Sequence, residues 1–386
     1  MIKRLHIQNF LSLRDVDLEL TQRNVLVGPN MSGKSNLIEC LAFLTRIATS
    51  SLRQAFIDRN GFAEIVWKGM PSEQRISISL SYEQNVAHEA PTNYQYEISI
   101  LGSQAGFVSI EKETITAENE GCRYALAELA DGQGSIKHLD GREISTTTGA
   151  PNTSALEMSI PGWKGMEVKN FIASWRYYNL IPELMKSVNP AVEQRFLTQT
   201  GDNLSSWLMT LNTKYPEEFR RLKQAACDAL PGLTEILSPP TQFATTFLLA
   251  KEKHLNTPVN LWRMADGELA FLGLLSLILA PAQLAAPLFC VEEPENHLHP
   301  RLMDTLAEVW SQAQLEWGAD ASQAILTTHS PHVVDRMKLE DLVVLERVGG
   351  ETRCARPSSK AHLRELLEKE EAGLGDLWYS GALGGV

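Results

Sequence analysis

The chain has 386 residues, 44% of them apolar and 21% charged, with a formal net charge of −12. That balance excludes an overall basic nucleic-acid binder, though not a local basic groove. The length allows two or three domains or one large α/β domain with an inserted lobe, and the longest apolar run, Leu269 to Pro281, is too short for a bilayer span of about 20 residues.

Five scattered cysteines (Cys40, Cys122, Cys227, Cys290, Cys354) form no C-x-x-C pair, which suits a reducing cytosol. Met1 to His6 lacks the apolar region of a signal peptide, so a cytoplasmic protein with no membrane partner is expected.

Residues 2–10 alternate as a strand, and Asp15 to Leu20 alternates again with Val16, Leu18 and Leu20 on one face. A third strand, Arg23 to Val27, runs into Gly28-Pro29-Asn30-Met31-Ser32-Gly33-Lys34-Ser35, followed by a helix over Asn36 to Ile47. Strand, G-x-x-x-x-G-K-S and helix in that order make a P-loop. Its glycines let backbone N–H groups close around a phosphate, Lys34 reaches the β- and γ-phosphates, Ser35 ligates magnesium and the helix N-terminus adds a favourable dipole.

Arg75 to Tyr82, Tyr94 to Leu101 and Phe107 to Thr116 are predicted antiparallel strands. Weaker strand signals run through 121–160, and Thr146 to Ser154 reads as a polar loop. The segment is expected to form a sheet on one side of the nucleotide-binding lobe, with a separate β-domain as the alternative.

Near residue 165 the period changes. Val168 to Met185 reads as helical with a break at Pro182, followed by helices over Asn203 to Leu211 and Pro216 to Leu230. No heptad is sustained, so no long coiled coil is expected. Trp163, Trp175, Tyr177 and Tyr178 suit the filling of a sheet–helix seam better than a base-stacking platform.

Thr241 to Ala250 and Val259 to Trp262 return to strand character. Ala265-Asp266-Gly267-Glu268 then opens a nearly all-apolar helix, Leu269 to Leu279. This turn reads as a second anion-seeking helix end, or as an ordinary N-terminus capped by Asp266. The run Pro287 to Val291 suits a buried strand and ends in Glu292 and Glu293. Paired acids at a strand end are costly unless compensated, and phosphate-bound magnesium is the obvious compensator.

An amphipathic helix over Arg301 to Trp317 follows, then a strand, Ala324 to Thr328, ending in His329. A histidine there suits contact with a terminal phosphate or its attacking water, whereas His332 reads as a surface histidine at a helix start. Leu342 to Leu345 is a last strand, and Leu363 to Lys369 a short helix. The Gly-rich tail Gly373 to Val386 either packs back on the body or docks a partner.

P-loop, long insertion, signature-like turn, two acids and a histidine, in this order, resemble the ABC-type, AAA-family ATPases of the SMC, RecF and OLD group, most of all the stand-alone ATPase subunits of bacterial phage-defence systems. The resemblance covers nearly the whole chain, and Gly28–Ser35, Ala265–Glu268, Cys290–Pro300 and Thr327–Ser330 carry it most specifically. It implies an α/β P-loop fold, a two-lobe head with an antiparallel β-rich portion and a helical insertion. The expected division is a first lobe over 1–165, the insertion over 166–240, and a second lobe with the tail over 241–386.

By the same resemblance, ATP and Mg2+ are the cofactors. Gly28 to Ser35 with Asn36 hold nucleotide, Ser35 and Glu292 hold magnesium, Glu293 is the base that orients water, and His329 is the switch histidine beside the γ-phosphate. Lys34 completes the catalytic set. Ala265, Asp266, Gly267 and Glu268 touch ATP bound to the other protomer of a head-to-tail homodimer, and Glu295 to Leu298 falls at the dimer seam.

Two departures stand out. Ala265 replaces the usual signature serine and its hydroxyl, and Glu292 replaces the more usual aspartate. The Q-loop glutamine is left among Gln54, Gln74 and Gln84. His297 and His299 lack a third ligand for zinc.

In the OLD nucleases a Toprim domain follows the ATPase, and none is expected here, so a nuclease or toxin effector would be a separate chain. The expected function is thus a sensor or regulatory ATPase of a defence complex, with DNA as a further partner. A RecF-like repair ATPase and an ATP-dependent scaffold with little turnover are the alternatives. A membrane-transporter ATPase fits poorly, because Lys34 and Asp266 lie too far apart.

Overall fold

A computed structural model describes the chain except for residues 70–73, 85–90, 104–105, 148, 282–283, 319–320, 360–372 and 380–386. The predicted helix over Leu363 to Lys369 and the last seven tail residues lie outside the described residues. Two compact units divide the chain. One takes the described parts of Met1–Trp175, Leu339–Glu371 and Leu377–Val386; the other takes the described parts of Arg176–Lys338 and Ala372–Asp376.

The first unit opens with strands β1 (Ile2–Phe10), β2 (Leu13–Glu19) and β3 (Arg23–Val27), then helices α1 (Lys34–Thr49), α2 (Leu52–Ile57) and α3 (Phe62–Ile65). Six strands follow: β4 (Gln74–Gln84), β5 (Thr92–Gly102), β6 (Val108–Asn119), β7 (Cys122–Ala130), β8 (Gln133–Lys137) and β9 (Glu143–Thr147), and then α4 (Gly165–Ala173). These six continue the sheet begun by the first two strands, in the order β2-β1-β4-β5-β6-β7-β8-β9. Thus β4 pairs antiparallel with β1, Ile7 opposite Ile78, and the β-rich segment is built onto the P-loop lobe.

Strict alternation in β4 and β5 buries Ile76, Ile78, Leu80 and Tyr82 beside Tyr94, Tyr96, Ile98 and Ile100, as a half-buried sheet requires. On α4, Phe171 stacks on Tyr82 with 3.9 Å between ring centroids. Phe10, Phe43 and Phe56 are joined ring to ring, which seats α1 between β1 and α2.

The second unit runs β10 (Arg176–Tyr178), α5 (Pro182–Met185), β11 (Asn189–Pro190), α6 (Leu204–Lys214), α7 (Pro216–Ala229), β12 (Leu233–Leu237), β13 (Thr245–Thr246), β14 (Leu249–Glu252) and β15 (Val259–Asn260). It continues with α8 (Asp266–Ile278), β16 (Leu288–Glu292), α9 (Pro300–Trp317), β17 (Gln323–Thr328) and α10 (Pro331–Asp335). The chain then returns to the first unit with β18 (Leu342–Val348) and β19 (Glu351–Ala355), before the terminal α11 (Leu374–Tyr379). Strand β18 pairs parallel with β3 and antiparallel with β19, while β16 is flanked by β10 and β17, both parallel.

Helix α8 is apolar on nearly every face because it is enclosed. Trp207 Nε1 of α6 donates to Ser276 Oγ at 3.0 Å, and a side chain on Gly273 would press on Leu180 and Met185. The longest described helix, α9, has 18 residues, and no described helix is long and apolar enough to cross a membrane.

Three sequence expectations are corrected. Val168 to Met185 is not one helix: α4 ends at Ala173, and Arg176–Tyr178 pairs with Phe289–Val291. Phe171, Trp175 and Tyr178 do fall at helical spacing, but paired tyrosines favour the pleated edge that β16 offers. The strand expected over Thr241 to Ala250 is not continuous: Ala244 adopts φ 54° just ahead of two-residue β13, and Phe247 and Leu248 separate β13 from four-residue β14. The loop expected from Thr146 begins late, because Thr146 and Thr147 complete β9. Trp163, Trp175 and Tyr178 are buried, which fits the packing reading and not an exposed stacking platform.

Candidate active site

Strand β3 is buried throughout and delivers the chain to the P-loop. Both loop glycines are enforced by neighbours. A Cβ on Gly28 would fall 2.2 Å from the Leu345 carbonyl oxygen, and one on Gly33, whose φ is 106°, would fall 2.1 Å from Thr352 Oγ1. The loop is therefore bare backbone where Gly28 meets β18 and where Gly33 meets β19.

Helix α1 starts at Gly33 with no side-chain cap and no acid in its first turn, so nothing within the helix opposes the positive end of its dipole. Lys34 is buried and lays its ammonium across the loop, donating to the carbonyls of Gly28 at 2.8 Å and Pro29 at 3.1 Å. Met31 sits at φ 66° and is 77% exposed, a left-handed conformation costing a β-carbon residue about 1–2 kcal/mol. Pro29, Asn30 and Ser35 are also exposed, whereas Ser32 is buried, with Oγ lacking a partner among the described residues.

Two residues that sequence reading missed brace this loop. Thr352 of β19 donates from Oγ1 to the Ser32 carbonyl at 2.8 Å and lies 2.6 Å from Ser12 Oγ. Ser12 in turn accepts from Asn36 Nδ2 at 2.6 Å, and the Thr352 amide donates to the Ser12 carbonyl at 2.7 Å. Only the Ser/Thr identity at these positions hinted at it, and no motif marks them. A bare-backbone loop at a helix N-terminus, with an ammonium already engaged by its carbonyls, fits a polyphosphate in charge and shape.

In the second unit Glu292 ends β16 in register with Thr327 of β17. The next residue, Glu293, turns into the left-handed region at φ 42° and ψ 58°. It is pinned there because its amide donates to the carbonyl and to Oγ1 of Thr327, both at 3.1 Å. A non-glycine residue so held is strained, and such strain clusters at functional sites.

The Glu293 carboxylate has two side-chain partners. Oε1 is 2.9 Å from His329 Nε2, and Oε2 accepts from Asn296 Nδ2 at 3.0 Å. Asn296 lies in the short turn Pro294–His297, and Glu295 of that turn reaches back to accept from Thr328 Oγ1 at 2.6 Å and from the His329 amide at 3.0 Å. His332 faces Asp304 at 3.1 Å on α9 and stands apart from this network. His299 caps α9, its Nδ1 accepting from the Arg301 amide at 3.3 Å.

The signature-like turn belongs to the same unit. Ala265 occupies the N-cap of α8, so the alternative reading with Asp266 as the cap does not hold: Asp266 is the first helical residue. Only half a capping box forms, with Glu268 Oε2 accepting from the Ala265 amide at 2.9 Å, since an alanine has no oxygen to return. Asp266 instead binds Lys186 Nζ at 2.6 Å. Gly267 is obligatory because a Cβ would lie 2.7 Å from the His297 carbonyl oxygen, so the signature turn backs directly onto Pro294–His297.

The tail packs on α10 through Gly375, whose amide donates to Asp335 Oδ1 at 2.7 Å. Leu374, Leu377 and Trp378 are buried, so the described part of the tail packs back rather than standing clear.

Comparison with known proteins bears on the family and the fold. Residues 1–148 match a family described as an AAA ATPase domain, and residues 198–335 one described as an AAA domain, putative AbiEii toxin, Type IV TA system. The OLD nuclease of Thermus scotoductus is 21% identical over 354 residues, which are 90% of this chain and 62% of that protein. The chain thus spans less than two thirds of this relative. An SMC head bound to the C-winged helix domain of ScpA superposes with a TM-score of 0.55 at 15% identity, over 92% of this chain and 97% of that one. An SMC head with an extended coiled coil, bound to the C-terminal domain of ScpA derived from Pyrococcus furiosus, gives 0.55 at 12% identity, over 96% and 99%. The fold is that of an SMC head, an α/β ATPase architecture with an antiparallel sheet.

Proposed function

We propose that this chain, an ATPase of the SMC, RecF and OLD type, binds ATP between two head-to-tail copies of itself and hydrolyses it. Lys34, Asn36 and the backbone N–H groups of the Gly28 to Ser35 loop, Pro29 having none, take the phosphates. Ser35 and Glu292 would hold magnesium, which supplies charge neutralisation for the phosphates when bound. Glu293 orients and deprotonates the attacking water, and His329 fixes that carboxylate beside the γ-phosphate. Ala265 to Glu268 of the second copy close the site with the dipole of α8. Phosphoryl transfer asks mainly for positioning and charge stabilisation, which this set of groups is suited to provide.

The observation that carries the reading is Glu293. It is a strained carboxylate at a strand end, aligned by His329 on one oxygen and Asn296 on the other. Its left-handed backbone at a strand end sets it apart from a carboxylate that only stabilises the fold, because strain of this kind clusters at functional sites. The test is Glu293→Gln. ATP binding kept with phosphate release lost supports the assignment; undiminished release removes Glu293 from it.

At the level of the cell, we place the chain in the cytoplasm as the sensor or regulatory subunit of an anti-phage defence complex whose nuclease or toxin is a separate protein. The match to a family named for a toxin–antitoxin system and the kinship with an OLD nuclease support this. Five free cysteines fit a reducing compartment. Stimulation of turnover by DNA, fading steeply with salt, would add DNA as the trigger. Ala265 favours a second reading, a scaffold held by ATP with little turnover, because the signature turn has no hydroxyl to offer the γ-phosphate. Steady-state phosphate release separates the two.

A further inference from the structure

We propose that Glu295 is a positioning residue for the Glu293–His329 pair and links that pair to the signature turn, an assignment that rests on reading the cluster as the hydrolytic site. His329 is held both at its ring and at its backbone. Glu293 takes its ring nitrogen at 2.9 Å, and Glu295 Oε1 takes its backbone amide at 3.0 Å. The same Oε1 accepts from Thr328 Oγ1 at 2.6 Å. Thr328 is fully buried, and its hydroxyl oxygen accepts from the Ser330 amide at 3.0 Å. One carboxylate oxygen therefore fixes the main chain on both sides of His329. A histidine anchored only by its ring would be free to follow Glu293 rather than align it.

Glu295 lies in the turn that also supplies Asn296 to Glu293. Glu293 and its histidine partner are thus oriented from a single four-residue segment, Pro294–His297. The outer face of that segment meets the signature turn, where the Gly267 backbone approaches the His297 carbonyl too closely for any side chain. A shift of the α8 N-terminus on engaging a second protomer's nucleotide must move or press this segment, and Glu295 carries the displacement to His329. The second oxygen of Glu295 is buried without a partner among the described residues. The clamp as built therefore uses one acceptor oxygen, which a glutamine also provides.

The experiment compares Glu295→Ala, Glu295→Gln and wild type by hydrogen exchange of the nucleotide-free protein and by ATP turnover. In Glu295→Ala, exchange at the His329 and Ser330 amides rises tenfold or more while melting temperature stays within a few degrees. Its kcat falls at least tenfold with KM for ATP within about threefold, the split expected of a lost orienting contact. Glu295→Gln keeps the protection of both amides and stays within about threefold of wild-type kcat. Unchanged exchange in Glu295→Ala, or a glutamine variant as impaired as the alanine one, overturns the proposal. Absence of turnover in the wild type would overturn the ATPase reading alone, since the exchange arms still decide the clamp.

Discussion

Oε1 of Glu293 stands 2.9 Å from Nε2 of His329, and the two residues follow the ends of neighbouring parallel strands, β16 and β17. The pairing is set by backbone rather than by side-chain reach. Glu293 turns left-handed at φ 42° because Thr327 captures its amide, and its carboxylate meets His329 one residue past the end of β17. The adjacent Glu292 stays in the strand, in register with Thr327. Two consecutive glutamates thus acquire different directions, and the proposed roles of metal ligand and base follow that difference.

Glu293→Gln should lower the rate of phosphate release by about 100-fold or more, the scale of a lost general base, while the affinity for ATP changes little. The amide keeps the shape and can still accept from Asn296, so folding is retained. Single-turnover phosphate release beside equilibrium binding of a fluorescent ATP analogue checks it. Equal losses in binding and turnover would instead mean that Glu293 belongs to the nucleotide pocket.

Thr352→Val should weaken ATP binding without touching nucleotide. The substitution keeps the volume but removes the donor to the Ser32 carbonyl and the partner of Ser12. At a 2% exposed site, leaving such groups unsatisfied costs about 1–3 kcal/mol. A lower melting temperature and a raised Kd for ATP are expected together, and Thr352→Ser should recover both. Calorimetric titration of the three proteins decides it.

These residues show where the sequence was legible. The G-x-x-x-x-G-K-S run, the acids after an apolar strand and the histidine after another are short-range patterns, and strand–loop–helix order could be read around each. The brace of Ser12, Asn36 and Thr352 joins three distant segments through single hydroxyls. No periodicity records that, and β19, which carries Thr352, was not anticipated at all. The same limit explains β10. Its three residues form a strand only because Phe289–Val291 lie alongside, a tertiary cause that local spacing cannot reveal. Glu295 was visible as part of a motif, but its grip on the His329 amide depends on the turn between them.

Stability should carry a pH signature from Glu113. Burial holds this carboxyl above its ordinary value of 4.5, opposed by hydrogen bonds from Ser154, the Ala155 amide and Tyr96. Between the unfolded and folded values the native state binds more protons than the unfolded one. The contribution of Glu113 is therefore fullest below 4.5 and declines as pH rises through the folded value. The melting temperature of wild type relative to Glu113→Gln should fall from acid towards neutral pH, whatever constant offset separates the two proteins. A difference that stays flat from about pH 4 to about pH 8 would show that Glu113 does not titrate between the two states.

Ala265→Ser should strengthen ATP-driven dimerisation. The turn already has Glu268 accepting from the residue 265 amide, so a serine would complete the capping box and stabilise α8 by about 0.5–2 kcal/mol. It would also place a hydroxyl at the exposed tip of the proposed trans contact, where the natural chain has only a methyl group. The cap and the phosphate contact are separable, since the cap raises melting temperature with or without nucleotide. In a Glu293→Gln background, which holds ATP intact, sedimentation velocity should show the dimer forming at lower protein concentration with ATP than it does with alanine. With ADP the serine should make no difference. A gain in melting temperature with no change in the ATP dimer would place the second copy's contact elsewhere than the N-cap of α8.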